Sequence, residues 1–111
     1  MPSTRNWTIL ANHGEVLLHL ADHPKDTIRS IGLAVGLQDR TVAAIIAELR
    51  EASYIAVKRN GRRNEYEIAE SMPIRRHIEG NINITVGDLI VALRAAKIRT
   101  DAAKEQAPHV A

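Results

Sequence analysis

"IRSIGLAVGLQDRTVAAIIAELREASYIAVKRNGRRNEYEI", residues 28 to 68, decides how this chain folds. Ile31 and Val35 stand four apart, on one face of a short helix read from Ser30 to Val35. Gly36 stands where that helix must stop, because a residue without Cβ enters the left-handed region at little cost. A second apolar period starts almost at once. Val42, Ile45, Ile46 and Leu49 mark a buried stripe and Asp39 suits an N-cap, so the spacing predicts a helix from about Arg40 to Ala52. The pattern then alternates. Ile55 and Val57 share one face of a strand in "YIAVKR", and Tyr66 and Ile68 share one face of its partner "EYEI". The loop between them, "RNGRRN", holds an Asn-Gly pair, a strong hairpin signal because both residues accept positive φ.

Upstream, "NHGEVLLHLADHP" predicts a helix from about Asn12 to Asp22. Asn12 and Glu15 have capping-box spacing, Val16, Leu17, Leu20 and Ala21 form the apolar face, and Pro24 ends the run. Thr27 and Ile28 read as a very short strand, and residues 1 to 11 as a flexible start. Downstream, residues 70 to 84 have no clear period and read as a linker. "TVGD", Thr85 to Asp88, is a second capping box, and Val86, Leu89, Ile90 and Leu93 give the following helix an apolar face. That helix is expected over about 85 to 100, with 101 to 111 as a frayed tail.

Composition narrows the function classes. The chain has 111 residues, 45% of them hydrophobic, enough for one domain over residues 12 to 69 with an appended helix. No stretch approaches the ~20 apolar residues that span a bilayer. The start lacks the apolar core of a signal peptide, so a cytoplasmic protein with no membrane partner is expected. There is no cysteine, which removes disulfides and cysteine-based zinc sites. The net charge of +2 is uninformative as a total, whereas Lys58, Arg59, Arg62 and Arg63 cluster around one turn. Aromatic content is 3%, too little for a surface that stacks single-stranded bases.

Two helices separated by "GLQD" and followed by a basic hairpin form a helix-turn-helix with a wing. Over roughly residues 12 to 93 the chain resembles winged helix-turn-helix regulators of the MarR and ArsR-like type. The resemblance rests on "IRSIGLAVGLQDRTVAAIIAELREASYI" and on the wing "VKRNGRRNEYEI". It implies an α+β, mostly helical fold: three helices, a two- or three-stranded antiparallel wing, and a C-terminal dimerisation helix. It also implies a homodimer that regulates transcription by binding double-stranded DNA.

On that resemblance the third helix enters the major groove, and Ser30, Gln38, Arg40, Thr41, Ala43 and Ala44 face the DNA. Gln38, Arg40 and Thr41 are the side chains there able to hydrogen-bond base edges, while Ala43 and Ala44 offer only methyl contacts to thymine. Lys58, Arg59, Arg62 and Arg63 would meet phosphates or an adjacent minor groove. Val86, Leu89, Ile90 and Leu93 would form the dimer seam. Related regulators carry polar residues where this chain has Ala43 and Ala44, and Leu33 and Ala34 depart in the same way. The alternative is therefore a winged-helix protein-interaction module that uses this apolar face and binds little or no DNA.

His19 and His23, four apart with Asp22 nearby, have the spacing of a metal pair, but Pro24 follows directly and no cysteine supports them. They read as surface histidines, and no metal or cofactor is expected. No glycine-rich phosphate loop, activated nucleophile or carboxylate pair is present, so an enzyme is not expected. Glu65 and Glu67 alternate with the inward residues of their strand and are expected to balance the wing charge. Nothing in the sequence identifies an effector or an operator.

Overall fold

The computed structural model describes residues 9 to 74 and 84 to 106. In chain order they form α1 (Asn12–Asp22), α2 (Ile28–Val35), α3 (Asp39–Glu51), β1 (Ile55–Asn60), β2 (Arg63–Ile68) and α4 (Val86–Gln106). The chain divides into two units, Met1–Ile68 and Ala69–Ala111. The ends of the expected flexible start and frayed tail, residues 1 to 8 and 107 to 111, lie outside the described residues.

In the first unit the three helices pack on one another, β1 packs on α3 and β2 on α1. The core is Val16, Leu17 and Leu20 of α1, Ile31 of α2, the α3 stripe Val42, Ile45, Ile46 and Leu49, and Ile55 and Tyr66 of the hairpin. Leu20, Ile31, Val16 and Val42 are fully enclosed. Truncating one such Leu or Ile to Ala costs about 2–5 kcal/mol, because the cavity only partly collapses.

The helix starts differ from the sequence expectation at three places. Ala11, not Asn12, holds the cap position of α1, with extended backbone and no side-chain cap bond. Asn12 is thereby drawn into the first turn and the anticipated box with Glu15 does not form. Thr27 and Ile28 are no strand: Thr27 Oγ1 accepts the Ser30 N–H at 3.1 Å and Ile28 opens α2. A satisfied cap offsets the loss of the one strand residue that β-propensity favoured. Gln38 holds the cap position of α3, and Asp39 lies in the first turn, where its charge meets the positive end of the helix dipole.

The hairpin pairs Ile55 with Ile68, Val57 with Tyr66, Lys58 with Glu65, Arg59 with Asn64 and Asn60 with Arg63. Its two central residues are therefore Gly61 and Arg62, not Asn60 and Gly61. Gly61 has φ 65°, and no other hairpin residue has positive φ, the pattern of a type II′ turn. The physical reason is register. Centring the turn on Asn60-Gly61 would set Arg59 against Arg62 and Val57 against Asn64, whereas the observed register pairs apolar with apolar. The wing has two strands. In place of a third, the Tyr66 N–H donates to the Pro24 carbonyl at 2.8 Å.

In the second unit, the box at the start of α4 forms as read. The Thr85 N–H donates to Asp88 Oδ2 at 3.0 Å and the Asp88 N–H to Thr85 Oγ1 at 3.1 Å. The described ends of the expected linker are paired rather than loose. The Ile74 N–H donates to Ile84 O at 2.9 Å, the Val86 N–H to Met72 O at 2.9 Å and the Gly87 N–H to Glu70 O at 2.8 Å. Helix α4 continues to Gln106 instead of fading near Thr100. "DAAKEQ" consists mostly of strong helix formers, so propensity extends the helix beyond its apolar pattern.

Candidate nucleic-acid interface

Helices α2 and α3 turn through 103°, within the range of a helix-turn-helix. Two glycines make that corner. Gly36 is left-handed at φ 75°, and the N–H groups of Gly36 and Leu37 converge on the Gly32 carbonyl at 2.8 and 2.9 Å. Gly32 itself is buried, and a Cβ there would lie 2.5 Å from the Leu37 carbonyl oxygen. The sequence reading identified Gly36 and missed Gly32. Its signal was present, a glycine four residues before a left-handed stop, where the returning chain crosses closest.

The corner exposes the N-terminal end of α3. Gln38 and Arg40 are exposed and Thr41 is half-buried. Ala43 and Ala44 are exposed next along the helix, and Ser30 on α2 is exposed as well, its side chain outside the cap bond. Five of the six helical candidates are thus exposed and Thr41 is partly so. Leu33 is 78% exposed and Ala34 is exposed, so the apolar departure noted in the sequence is a real surface feature. Farther along α3, Glu48 Oε1 lies 3.3 Å from His13 Nε2.

The hairpin sorts its charges by face. Ile55, Val57 and Arg59 share one side with Ile68, Tyr66 and Asn64, while Ala56, Lys58 and Asn60 share the other with Glu67, Glu65 and Arg63. Lys58 is therefore beside both carboxylates. Its Nζ lies 2.9 Å from Glu67 Oε1, and that hydrogen bond and charge hold its ammonium above the ordinary lysine pKa. Arg59 clears the core at the tip and its Nε donates to the Gly61 carbonyl at 3.2 Å. Arg62 and Arg63 are exposed, and neither forms an ion pair with a described residue. The four wing cations are thus unequal: three arginines crown the turn, and the lysine is matched at its base. From Ile9 to Ile68 the chain carries eight Lys/Arg and eight Asp/Glu, so this tip is a local concentration within a stretch of balanced charge.

His19 has a structural partner. Its Nε2 lies 2.7 Å from Asp26 Oδ2, and its ring stacks on His23 with centroids 4.6 Å apart. Among the described residues no group of three or more His, Cys, Asp or Glu side chains is placed to hold a metal ion. No single described helix is long and apolar enough to cross a membrane. Of the four residues expected at a dimer seam, Val86 and Ile90 are already buried in the single chain, Leu89 is half-buried and Leu93 is 42% exposed. Val91 and Ile98 on the same helix are more exposed, at 65% and 69%, and the sequence reading did not single them out.

No protein-family model matches the chain, and no curated protein matches it. Solved structures do. The PcaV transcriptional regulator from Streptomyces coelicolor, in complex with its natural ligand, is similar with a TM-score of 0.51 and 19% identity, over 88% of this chain and 63% of that one. The MarR family transcription regulator SP03579 gives 0.49 and 18%, over 91% and 60%. The homodimeric winged helix-turn-helix DNA-binding domain Mb0332 from Mycobacterium bovis, a possible ArsR-family regulator, gives 0.43 and 17%, over 91% and 78%. The chain spans less than two thirds of the length of the first two. The likeness to PcaV establishes the fold, a winged helix-turn-helix.

Proposed function

We propose that the protein is a transcriptional regulator that binds double-stranded DNA as a homodimer, with α3 in the major groove and the hairpin tip on the backbone or the adjacent minor groove. The observation that carries this reading is the crown of Arg59, Arg62 and Arg63 on a hairpin that follows a 103° helix-turn-helix, in a stretch, Ile9 to Ile68, that is otherwise net acidic. Arginines concentrated on one projecting turn match a surface of regularly spaced phosphates and release counterions on binding. At the N-terminal end of α3, Arg40 and Gln38 supply the base contacts, and Ala43 and Ala44 add methyl contacts to thymine. No catalytic role is assigned to any residue.

The dimer seam runs along the α4 face that carries Leu89 and Leu93, while the exposed Val91 and Ile98 lie on the opposite side of the helix. Sedimentation at micromolar concentration tests it: the native chain runs as a dimer, and Leu89→Lys with Leu93→Lys as a monomer. A monomeric native chain overturns this part of the reading.

A second reading is favoured by one observation, the 78% exposure of Leu33, beside the exposed Ala34 on α2. Here that face docks another protein. Salt separates the two. Duplex binding followed by fluorescence anisotropy weakens steeply with added salt if phosphates carry it, whereas an apolar interface is nearly insensitive. No duplex binding at low salt overturns the first reading.

A further inference from the structure

The loop between α1 and α2 is closed by its own side chains. The His23 N–H donates to His19 O at 2.8 Å and the Asp26 N–H to His23 O at 3.2 Å. His19 Nε2 lies 2.7 Å from Asp26 Oδ2, the ring N–H donating to the carboxylate, and both side chains are partly shielded from solvent. The His23 ring stacks on His19 from outside. Within this closed turn sits Pro24, whose carbonyl accepts the Tyr66 N–H at 2.8 Å. Among the described residues that is the one backbone hydrogen bond joining the two hairpin strands to the helical part of the unit. Proline has no N–H of its own, so the residue presents an acceptor alone to the strand edge.

We infer that the His19–Asp26 pair is a positioning clasp for the wing: it holds the Pro24 carbonyl where β2 hangs from it, and so sets where the arginine tip points. The inference rests on the proposed role of the wing in DNA binding. The lever is long. Arg63 lies three residues from Tyr66, roughly 10 Å along the strand. A tilt of roughly 15° about Tyr66 therefore carries the tip by roughly 3 Å, more than a charge-assisted hydrogen bond tolerates. The clasp acts on the tip through Tyr66 and touches no DNA itself.

The test is a double-mutant cycle on the full chain, with circular dichroism as the folding control. Asp26→Ala removes the carboxylate, and Asp26→Asn keeps a group that hydrogen-bonds the ring. Asp26→Ala is expected to weaken duplex binding about tenfold and to lower the log–log salt slope by about one unit. Asp26→Asn should restore most of both. In an Arg59→Ala, Arg62→Ala, Arg63→Ala background Asp26→Ala should change neither, because the tip it aims is gone. Hydrogen exchange gives an arm independent of DNA: the Tyr66 amide should exchange faster in Asp26→Ala, while the Ile46 amide in α3 keeps its wild-type protection. Normal wild-type binding with an equal Asp26→Ala effect in both backgrounds overturns the clasp alone, as does a Tyr66 amide that exchanges at the wild-type rate. A wild-type chain that binds no duplex sinks the reading of the wing, and the clasp's part in DNA binding with it.

Discussion

Replacing Arg62 and Arg63 together by Ala removes two unpaired charges from the turn and leaves every buried side chain in place. In DNA binding each phosphate neutralised contributes about 0.9 to the slope of log K against log salt. Two arginines in each of two wings therefore contribute about 3.6 units to a dimer. Between about 50 and 200 mM salt, a change of about 0.6 in log concentration, wild type should lose roughly 150-fold more affinity than the variant. Lys58 is the internal control. Its ammonium is already matched by Glu67 at 2.9 Å and is not free to neutralise a phosphate, so Lys58→Ala should shift the slope far less. The assay is anisotropy titration of a labelled duplex at four or more salt concentrations, for specific and random sequences. Random duplexes should weaken as much as specific ones, since a tip on the backbone reads no bases. Equal slope changes for Lys58→Ala and Arg62→Ala would refute the charge sorting. A folded double variant with unchanged affinity and slope would return the tip to a solvated turn.

Three further substitutions test the helix-turn-helix. Gly32→Ala sets a Cβ 2.5 Å from the Leu37 carbonyl oxygen, and should destabilise by about 1–3 kcal/mol in urea unfolding; a neutral variant would mean the corner relaxes freely. Ser53 ends α3 in a left-handed conformation at φ 68°, so Ser53→Gly should raise stability by about 1 kcal/mol, and a lower melting temperature would contradict this. Arg40→Ala should relax sequence preference at one base pair per half-site, a loss of about 1–3 kcal/mol in discrimination; an unchanged motif in binding-site selection would remove Arg40 from that role.

The first unit was legible because its signals agree. The α3 stripe is spaced at the helical period and all four residues are buried, and the inward strand residues are those of the alternating run. The misses have a common cause: each depends on a partner distant in sequence or on competition between two local options. Ala11 carries no polar cap that a reader would find, and Thr27 caps a helix through a residue whose propensity favours a strand. The turn slipped by one residue because cross-strand pairing chose the register, and pairing is invisible to a search for Asn-Gly. Gly32 is required by a carbonyl five residues on, and His19 by Asp26 in the following loop. At the candidate site the charges were legible as a cluster, while their division into a matched lysine and three arginines needed the register.

That division bears on how the proposed complex would form. Along α3 three carboxylates, Asp39, Glu48 and Glu51, outnumber the two cations Arg40 and Arg50. The helix alone gives a duplex little reason to approach. At the tip the balance differs, because Glu67 is matched by Lys58 at 2.9 Å and the nearer carboxylate, Glu65, stands roughly 7 Å from Arg63 along one face. Three arginines outnumber that one carboxylate, so a phosphate near the turn meets a net positive tip. On the proposed reading, encounter is governed by the wing and the helix docks afterwards, with its apolar face completing a contact that charge has already placed. Specificity and affinity are then carried by different elements, which is why Arg40 is expected to move the motif and Arg62 and Arg63 the salt slope.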